Sequence, residues 1–578
     1  MFSYFWGPTT SEEEVNNNES EAPDKTNEDE TTRPLVSDDG LVEEEDLEEA
    51  VEETPDPALR SLDEYLEEAY ESSGKFRFSY WILLLSMGVA NSSDATEVMC
   101  LSYILANERF EGEILHHTDW RASLLASAVF FGMLLGGLVV GNLGDLCGRR
   151  PMLLISLWCN AVTGALSALS QDVYEYTALR TLAGIGIGAS IPPLFTIVSE
   201  LAPPSRRGFC VAVVSAFWMV GAVFVALIAL ATLAQSESWR IFAVICAVPS
   251  TLAGIMVGLF MPESPRYLAI QQKHEASLSS AERLGRKLGK PRPLSREELE
   301  HHYPSNDAPS WLVAANARTT NACWRWTIIA CEGTKVFFKK TTKLYTRNML
   351  RITLPIQVIW TTLCFGSYGI STWIYTLFET VHLKNLYINA LLFNLANLPA
   401  NILTALLLDR LGRRNLLFVC AFTAAACLLV FAYFASVHPA STLGIVLSAC
   451  FYQAFVTAAW NTINALTSER FPTLVRSTGL GVSTASGRIG AMIAQFVNGA
   501  LVSEPAALLC VASGALTITA FAPFFLPGHD MSLKPLQDDA VTVQESEEDA
   551  EEDAEKTATE PSPINGTTTN YESIPLEE

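Results

Sequence analysis

Among 578 residues there are only eight histidines, and no two of the twelve cysteines are spaced Cys-x-x-Cys. That shortage removes the usual ligand sets for a structural or catalytic metal. No G-x-x-x-x-G-K-[S/T] loop is present to cradle a nucleotide, and no G-x-S-x-G turn to present a nucleophile. Neither enzyme chemistry nor a cofactor is therefore expected. Nor is a cleavable leader expected, because residues 1–75 are acidic and lack an apolar segment. The cysteines fall mostly in apolar stretches and read as small packing residues.

Charge is also missing from long stretches of the chain, and that absence is the main signal. The formal net charge is −25, yet residues 1–75 hold 25 acids against 4 bases, and residues 529–578 hold 15 against 2. What lies between is net basic. Both ends are rich in Glu, Asp, Ser, Thr and Pro. They cannot bury enough apolar surface to offset ordering and read as disordered tails. The part between contains twelve apolar runs: 79–105, 122–142, 152–171, 177–202, 209–234, 240–261, 352–377, 386–408, 415–436, 441–466, 478–502 and 507–527. Each approaches the roughly 20 residues a helix needs to cross about 30 Å of hydrocarbon. The chain reads as an all-α membrane protein with twelve transmembrane helices and acidic tails, partnered by the lipid bilayer and by no nucleic acid.

Lys and Arg counts orient it. The loops after the second, fourth, eighth and tenth runs hold Arg149, Arg150, Arg206, Arg207, Arg410, Arg413, Arg414, Arg470 and Arg476. The opposite loops hold Arg109, Arg121, Arg240 and Lys384, while segment 263–350 adds fifteen Lys and Arg to the first side. The positive-inside rule makes that side cytosolic, and both termini with it. Five parts follow: a tail (1–75), a six-helix bundle (76–262), a basic cytosolic linker with short helices (263–350), a second six-helix bundle (351–528) and a tail (529–578). Stretch 322–347 mixes aromatics with bases and reads either as an interfacial helix or as a solvated linker. Tyr571–Ile574 resembles a Tyr-x-x-apolar sorting signal and would engage sorting machinery. The plasma membrane and an intracellular vesicle or vacuole both remain open.

One cassette occurs twice. Gly141, Asp145, Gly148, Arg149 and Arg150 return 264 residues later as Asp409, Gly412, Arg413 and Arg414, with Ala405 where the first glycine would stand. Each copy follows the second helix of a six-helix set, so the halves are pseudo-repeats. Spacing, depth and duplication together resemble the major facilitator superfamily, whose halves are related by an axis along the membrane normal. Within it, "SSDATEVMCLSYIL" (92–105), "RTLAGIGIG" (180–188), "CFGSYGIS" (364–371) and "FPTLVRSTGLGVSTASGRIGAMI" (471–493) resemble the synaptic-vesicle-protein-two-related and organic-ion-transporter branch. "PESPRYL" (262–268) is shared with sugar porters. The Gln-Gln pair and "PETKG" of those porters are absent, with Gln357 standing alone and "LPGHD" after the last helix.

The cassette reads as a latch at the cytosolic helix ends. Its arginines would pair with Glu200 and Glu469, which end the fourth and tenth helices, as the halves close. Loop anchoring is the competing reading. Inside the membrane, where an ionisable residue is costly and is a functional candidate by default, Asp94 and Glu97 share one face of the first helix. Arg180 lies at nearly the depth of Glu97, counting about 1.5 Å per residue. These three are proton-coupling candidates, with a static ion pair as the alternative. Arg488 has no acid within its own helix or the preceding one. Around it run polar stripes that include Gln357, Tyr368, Asn394, Asn397, Gln453 and Asn461, with Trp218 as a possible ring-stacking wall. Polar glue between helices is the competing reading for single amides. The resemblance to organic-ion transporters, where anion carriers hold Arg at this position, implies an anionic or zwitterionic substrate.

The sequence thus points to a secondary active transporter of a small organic ion, working by alternating access and coupled to protons. Two alternatives stand beside it: a facilitator of sugars or other neutral solutes, and a non-transporting vesicle or receptor protein acting through its tails.

Overall fold

The computed structural model describes residues 60–116, 118–140, 147–236, 238–289, 291–304, 339, 341–437, 441–472 and 475–527. Twelve crossing helices are labelled here in chain order. The first half contains α1 (Phe78–Leu105), α2 (Asp119–Leu135, continued by a π-helical turn, Gly136–Val140), α3 (Arg149–Ser167), α4 (Val173–Leu201), α5 (Arg207–Ser236) and α6 (Trp239–Cys246 with Val248–Phe260). The second contains α7 (Arg347–Thr380), α8 (Leu386–Leu395 with Asn397–Leu411), α9 (Arg413–Ser436), α10 (Thr442–Arg470), α11 (Arg476–Leu501) and α12 (Pro505–Phe521). Nine of the helices among the described residues are long and apolar enough to span a membrane. The remaining three are α1 and α11, which polar residues interrupt, and α3, which opens on two arginines.

Proline explains the two breaks. Pro249 and Pro399 follow Ala247 and Ala396, where α6 and α8 are interrupted. Each lacks the amide hydrogen that would bond the carbonyl four residues earlier. In the first half, glycine brings α2 and α4 into backbone contact. A Cβ on Gly132 would stand 2.1 Å from the Thr181 carbonyl oxygen, and one on Gly188 would stand 2.2 Å from that of Met133. Small residues at such crossings are how membrane helices approach closely without a hydrophobic drive.

The halves meet along α2 with α11, α5 with α8, and α1 with α7. We call the side bearing Arg149 and Arg413 the basic face. On the opposite side Tyr103 of α1 lies 5.4 Å from Tyr375 of α7, ring to ring, and its hydroxyl accepts a hydrogen bond from Asn394 of α8 at 3.4 Å. Ser123 of α2 abuts Gly499 of α11 on that side too. These contacts close the bundle away from the basic face.

Residues 1–75 read as a disordered tail from composition, and the structure corrects this for the last part. Leu62–Glu71 is a helix, opened by a capping box between Ser61 and Glu64. Its Leu62, Tyr65, Leu66 and Ala69 recur at helical spacing and are buried, a pattern masked by the surrounding acids. They pack on a linker helix, His274–Leu288. Tyr65 and Ala69 nest where Gly285 and Gly289 leave no room for a Cβ. Asp63 bridges Arg207 and Arg266, Arg60 binds Glu298 at 2.9 Å, and Glu67 accepts from the Ser205 amide. The Arg60 guanidinium holds the Glu298 carboxyl down at about 2. The rest of the tails, most of 322–347 and Tyr571–Ile574 lie outside the described residues.

Candidate functional site

The cassette builds the same local structure in both halves. Gly148 and Gly412 precede α3 and α9 with φ of 109° and 77° and extended ψ, a region open to glycine and costly for other residues. The turn aims two arginines in different directions. Arg149 reaches Glu200 at the end of α4 at 3.1 Å, and Arg413 reaches Glu469 at the end of α10 at 3.0 Å. Arg150 donates to the Gly258 carbonyl near the end of α6, and Arg414 to the Leu526 and Pro527 carbonyls beyond α12. A cation at a helix C-terminus offsets the partial negative charge of its free carbonyls. Glu263 accepts from the Arg150 and Ser264 amides, and burial pushes its carboxyl up. Each Arg–Glu pair stays inside one half. In this conformation they staple the halves internally and do not tie one to the other. Gly141 and Asp145 lie outside the described residues, as does the side chain of Asp409.

Glu97 and Arg180 are wholly buried and 2.6 Å apart. Arg180 also donates to the Tyr176 hydroxyl at 3.0 Å and contacts the Cys100 sulfur at 3.4 Å. Gly164 of α3 presses against this pair, since a Cβ there would come 2.4 Å from Glu97 Oε1. Asp94, one turn towards the basic face, takes no part. Its Oδ2 accepts from Ser190 Oγ of α4 at 2.5 Å, and its Oδ1 has no partner.

Between the halves lies a cavity of about 260 Å³. Of the sequence candidates, Arg488, Tyr368, Asn394, Asn397, Gln453, Asn461 and Trp218 line it. Gln357 does not. It sits nearer the basic face, where Tyr345 from the turn before α7 accepts its amide at 2.8 Å. The amides of α8 and α10 form a zip: Gln453 and Thr457 donate to Asn397 Oδ1, and Asn461 donates to Asn401 Oδ1 at 2.8 Å. Such bonds serve as interhelical glue, yet valences are left over. Gln453 Oε1, Ser367 Oγ and Arg488 Nη1 are buried without partners among the described residues.

Arg488 lies over the ring of Tyr368, 5.2 Å from its centroid. Tyr368 in turn contacts Phe130 of the other half and Trp460 of α10, which meets Trp360 edge-on. Phe130, Trp460, Ser190 and Ser367 were not singled out from sequence. Trp460 could have been, since it stands three residues after Thr457 and seven after Gln453, on the polar stripe of α10. The site therefore offers a guanidinium with one donor unsatisfied among the described residues, a few hydrogen-bonding groups and an aromatic wall, drawn from both halves. Among the described residues no cluster of His, Cys, Asp and Glu could hold a metal ion.

Similarity to known proteins agrees with this architecture. The chain is 27% identical to the synaptic vesicle 2-related protein of Bos taurus over 488 residues, 80% of each chain. It is 29% identical to synaptic vesicle glycoprotein 2A of Rattus norvegicus over 330 residues, 54% of this chain and 43% of that one. The fold is similar to that of the xylose transporter XylE from E. coli in an inward-open conformation. The TM-score is 0.58 at 16% identity, covering 78% of this chain and 97% of the other. The family model described as sugar (and other) transporter matches residues 84–527. With twelve crossing helices in two repeated halves around a shared cavity, the chain belongs to this transporter family and has the major facilitator fold.

Proposed function

We propose that the protein moves a small organic anion or zwitterion across a membrane by alternating access, coupled to protons, with the basic face and both termini in the cytosol. The observation that carries this is Arg488. Its guanidinium is buried in the cavity wall, and among the described residues its Nη1 has no hydrogen-bond partner. A buried guanidinium with a donor left unsatisfied is expensive, so an anion that takes that donor binds favourably. A carboxylate, sulfate or sulfonate would take two guanidinium hydrogens, and an attached ring would lie against Tyr368 and Trp460. Asn394, Asn397, Gln453 and Asn461 orient the remainder, Trp218 closes the opposite wall, and Asp94, Glu97 and Arg180 lie above as the ionisable set for proton coupling.

The experiment is uptake by the purified protein in sealed liposomes of benzenesulfonate, phenyl phosphate, tetraethylammonium and glucose, with and without a pH gradient. Saturable uptake of the anions, lost in Arg488→Ala, is expected. Anion uptake that survives Arg488→Ala would refute the reading.

A second reading, transport of a neutral polyol or sugar, is supported by the amide zip and its spare acceptor at Gln453, groups that suit hydroxyls. Saturable glucose uptake with no anion uptake would favour it. Flux of nothing in the panel would favour a receptor-like role through the tails.

A further inference from the structure

The bases at the basic face have different fates. On the first half Arg149 and Arg207 meet carboxylates, one of them supplied by the helix Leu62–Glu71, and Arg150 meets a carbonyl. On the second half Arg413 meets Glu469, while Arg414 and Arg470 donate to carbonyls beyond α12. Arg347 and Arg351, at the start of α7, do neither. Both are exposed, and among the described residues neither has an ion pair or a side-chain hydrogen bond. No acid offsets them locally, since α7 has none before Glu379 and α12 has none at all.

Arg347, Arg351, Pro355 and Val358 recur at intervals of four, four and three and so share one face of α7. That face continues into a groove of about 500 Å³ between α7 and α12, lined by Leu354, Pro355, Val358, Ile518, Phe521 and Phe525. Thr517 borders it as well, with its hydroxyl spent on the Ser513 carbonyl. The groove is apolar throughout and shares no residue with the lining of the cavity between the halves. Leu354, Ile518 and Phe525 are each more than half exposed, so it opens on the outside of the bundle.

We propose that this groove, with Arg347 and Arg351 at its head, binds an acidic glycerophospholipid of the leaflet at the basic face. The phosphate lies on the two guanidinium groups, and one acyl chain lies between α7 and α12. Two arguments carry it. The first is charge: two free bases without a local acid attract a headgroup of net negative charge, and basic sites beside membrane helices hold such headgroups. The second is depth. From Arg347 to Val358 is about 16 Å along the helix, close to half of the roughly 30 Å of hydrocarbon, which is the reach of one chain in one leaflet. A soluble anion would fill the head and leave the apolar part bare. A second copy of the chain related by a two-fold axis would bring its own Arg347 and Arg351 to the same edge, setting like charges together.

The test reconstitutes the full chain in phosphatidylcholine bilayers containing a minority of phosphatidylglycerol, extracts it in mild detergent and weighs it intact by native mass spectrometry. Wild-type protein is expected to retain phosphatidylglycerol well above its share of the bilayer. Each base beside an acidic headgroup accounts for about fivefold. Arg347→Gln with Arg351→Gln is therefore expected to bring retention down to the phosphatidylcholine level. Val358→Trp, which fills the groove and leaves the charge alone, is expected to lower it too. Arg283→Gln with Arg292→Gln, which removes two exposed bases of the linker, is expected to leave it unchanged. Wild-type protein without enrichment overturns the proposal before any variant is made. Enrichment that survives the α7 pair or Val358→Trp overturns it as well. An equal loss in the linker pair would reduce the effect to diffuse attraction, and displacement of the lipid by dissolved glycerol phosphate would make the head a site for soluble anions. A dimer that carries no phosphatidylglycerol would give the groove to a second copy. Each of these three results also overturns it.

Discussion

Glu97 and Arg180 face each other at 2.6 Å with almost no surface exposed on either side chain. Replacing only one of them strands a buried charge, which costs about 3–5 kcal/mol. Glu97→Gln and Arg180→Met are each expected to lower the melting temperature of the detergent-solubilised protein clearly. The double variant is expected to recover much of the loss. Thermal melts of the four proteins in a double-mutant cycle measure this, and additive losses would contradict the pairing.

The two cassette glycines lie in backbone regions that other residues reach only at a cost of about 1–3 kcal/mol. Gly148→Ala and Gly412→Ala are each expected to destabilise by about that amount, and a Cβ at position 148 also meets Glu263 at 2.7 Å. Gly208, at the start of α5, has nothing near it and no positive φ. Gly208→Ala is expected to be neutral or slightly stabilising, by up to about 1 kcal/mol. Melting and expression of the three variants side by side check this.

The helix Leu62–Glu71 is tied to the linker partly by Arg60 and Glu298. Glu298 has its carboxyl held down at about 2 from an ordinary 4.5. A depressed carboxyl contributes stability above its unfolded value and loses it as the pH falls towards the folded one. Attachment of the helix is therefore expected to be level above pH 4.5 and to weaken between 4.5 and 2. Arg60→Ala should remove that pH dependence and weaken attachment at neutral pH. Hydrogen exchange of residues 62–71 across this range reads both effects.

The Cβ of Ser123 lies 3.2 Å from where a Cβ on Gly499 would stand, a few tenths of an ångström inside the span of a disulfide. The Ser123→Cys, Gly499→Cys pair is expected to cross-link under mild oxidation and to stop flux reversibly, because it joins the halves on the closed side. Uptake before and after a reductant measures it. Full activity of the cross-linked protein would show that this side does not open.

Much of this could be read from residue order, and the remainder fails for physical reasons. The cassette stood out because it is duplicated, and its arginines and glutamates lie at helix ends, where depth follows from counting. The depths of Glu97 and Arg180 came from the same count. Counting along one helix says nothing about which helix lies opposite. It does not say whether Arg149 meets Glu200 within a half or across the halves, and the structure pairs them within one. Nor does it say that Asp94, on the same face as Glu97, bonds Ser190 while Glu97 takes Arg180. Gln357 shares its helix with Ser367 and Tyr368, but a local bond to Tyr345 takes it away from the cavity. The buried face of Leu62–Glu71 was hidden because composition averages over a window, while burial depends on four residues at helical spacing.

The helix Leu62–Glu71 and the linker helices fasten to the first half. Arg77 and Ser79 of the chain entering α1 donate to carbonyls of Arg286 and Lys287, and Lys287 donates to the Phe260 carbonyl at the end of α6. This gives the two bodies unequal ballast. The described contacts thus build Leu62–Glu71 and His274–Leu288 into the first half. A fluorophore on His274–Leu288 would therefore act as a rigid antenna for the first body, and its distance to a label on α9 or α12 would follow the stroke between them.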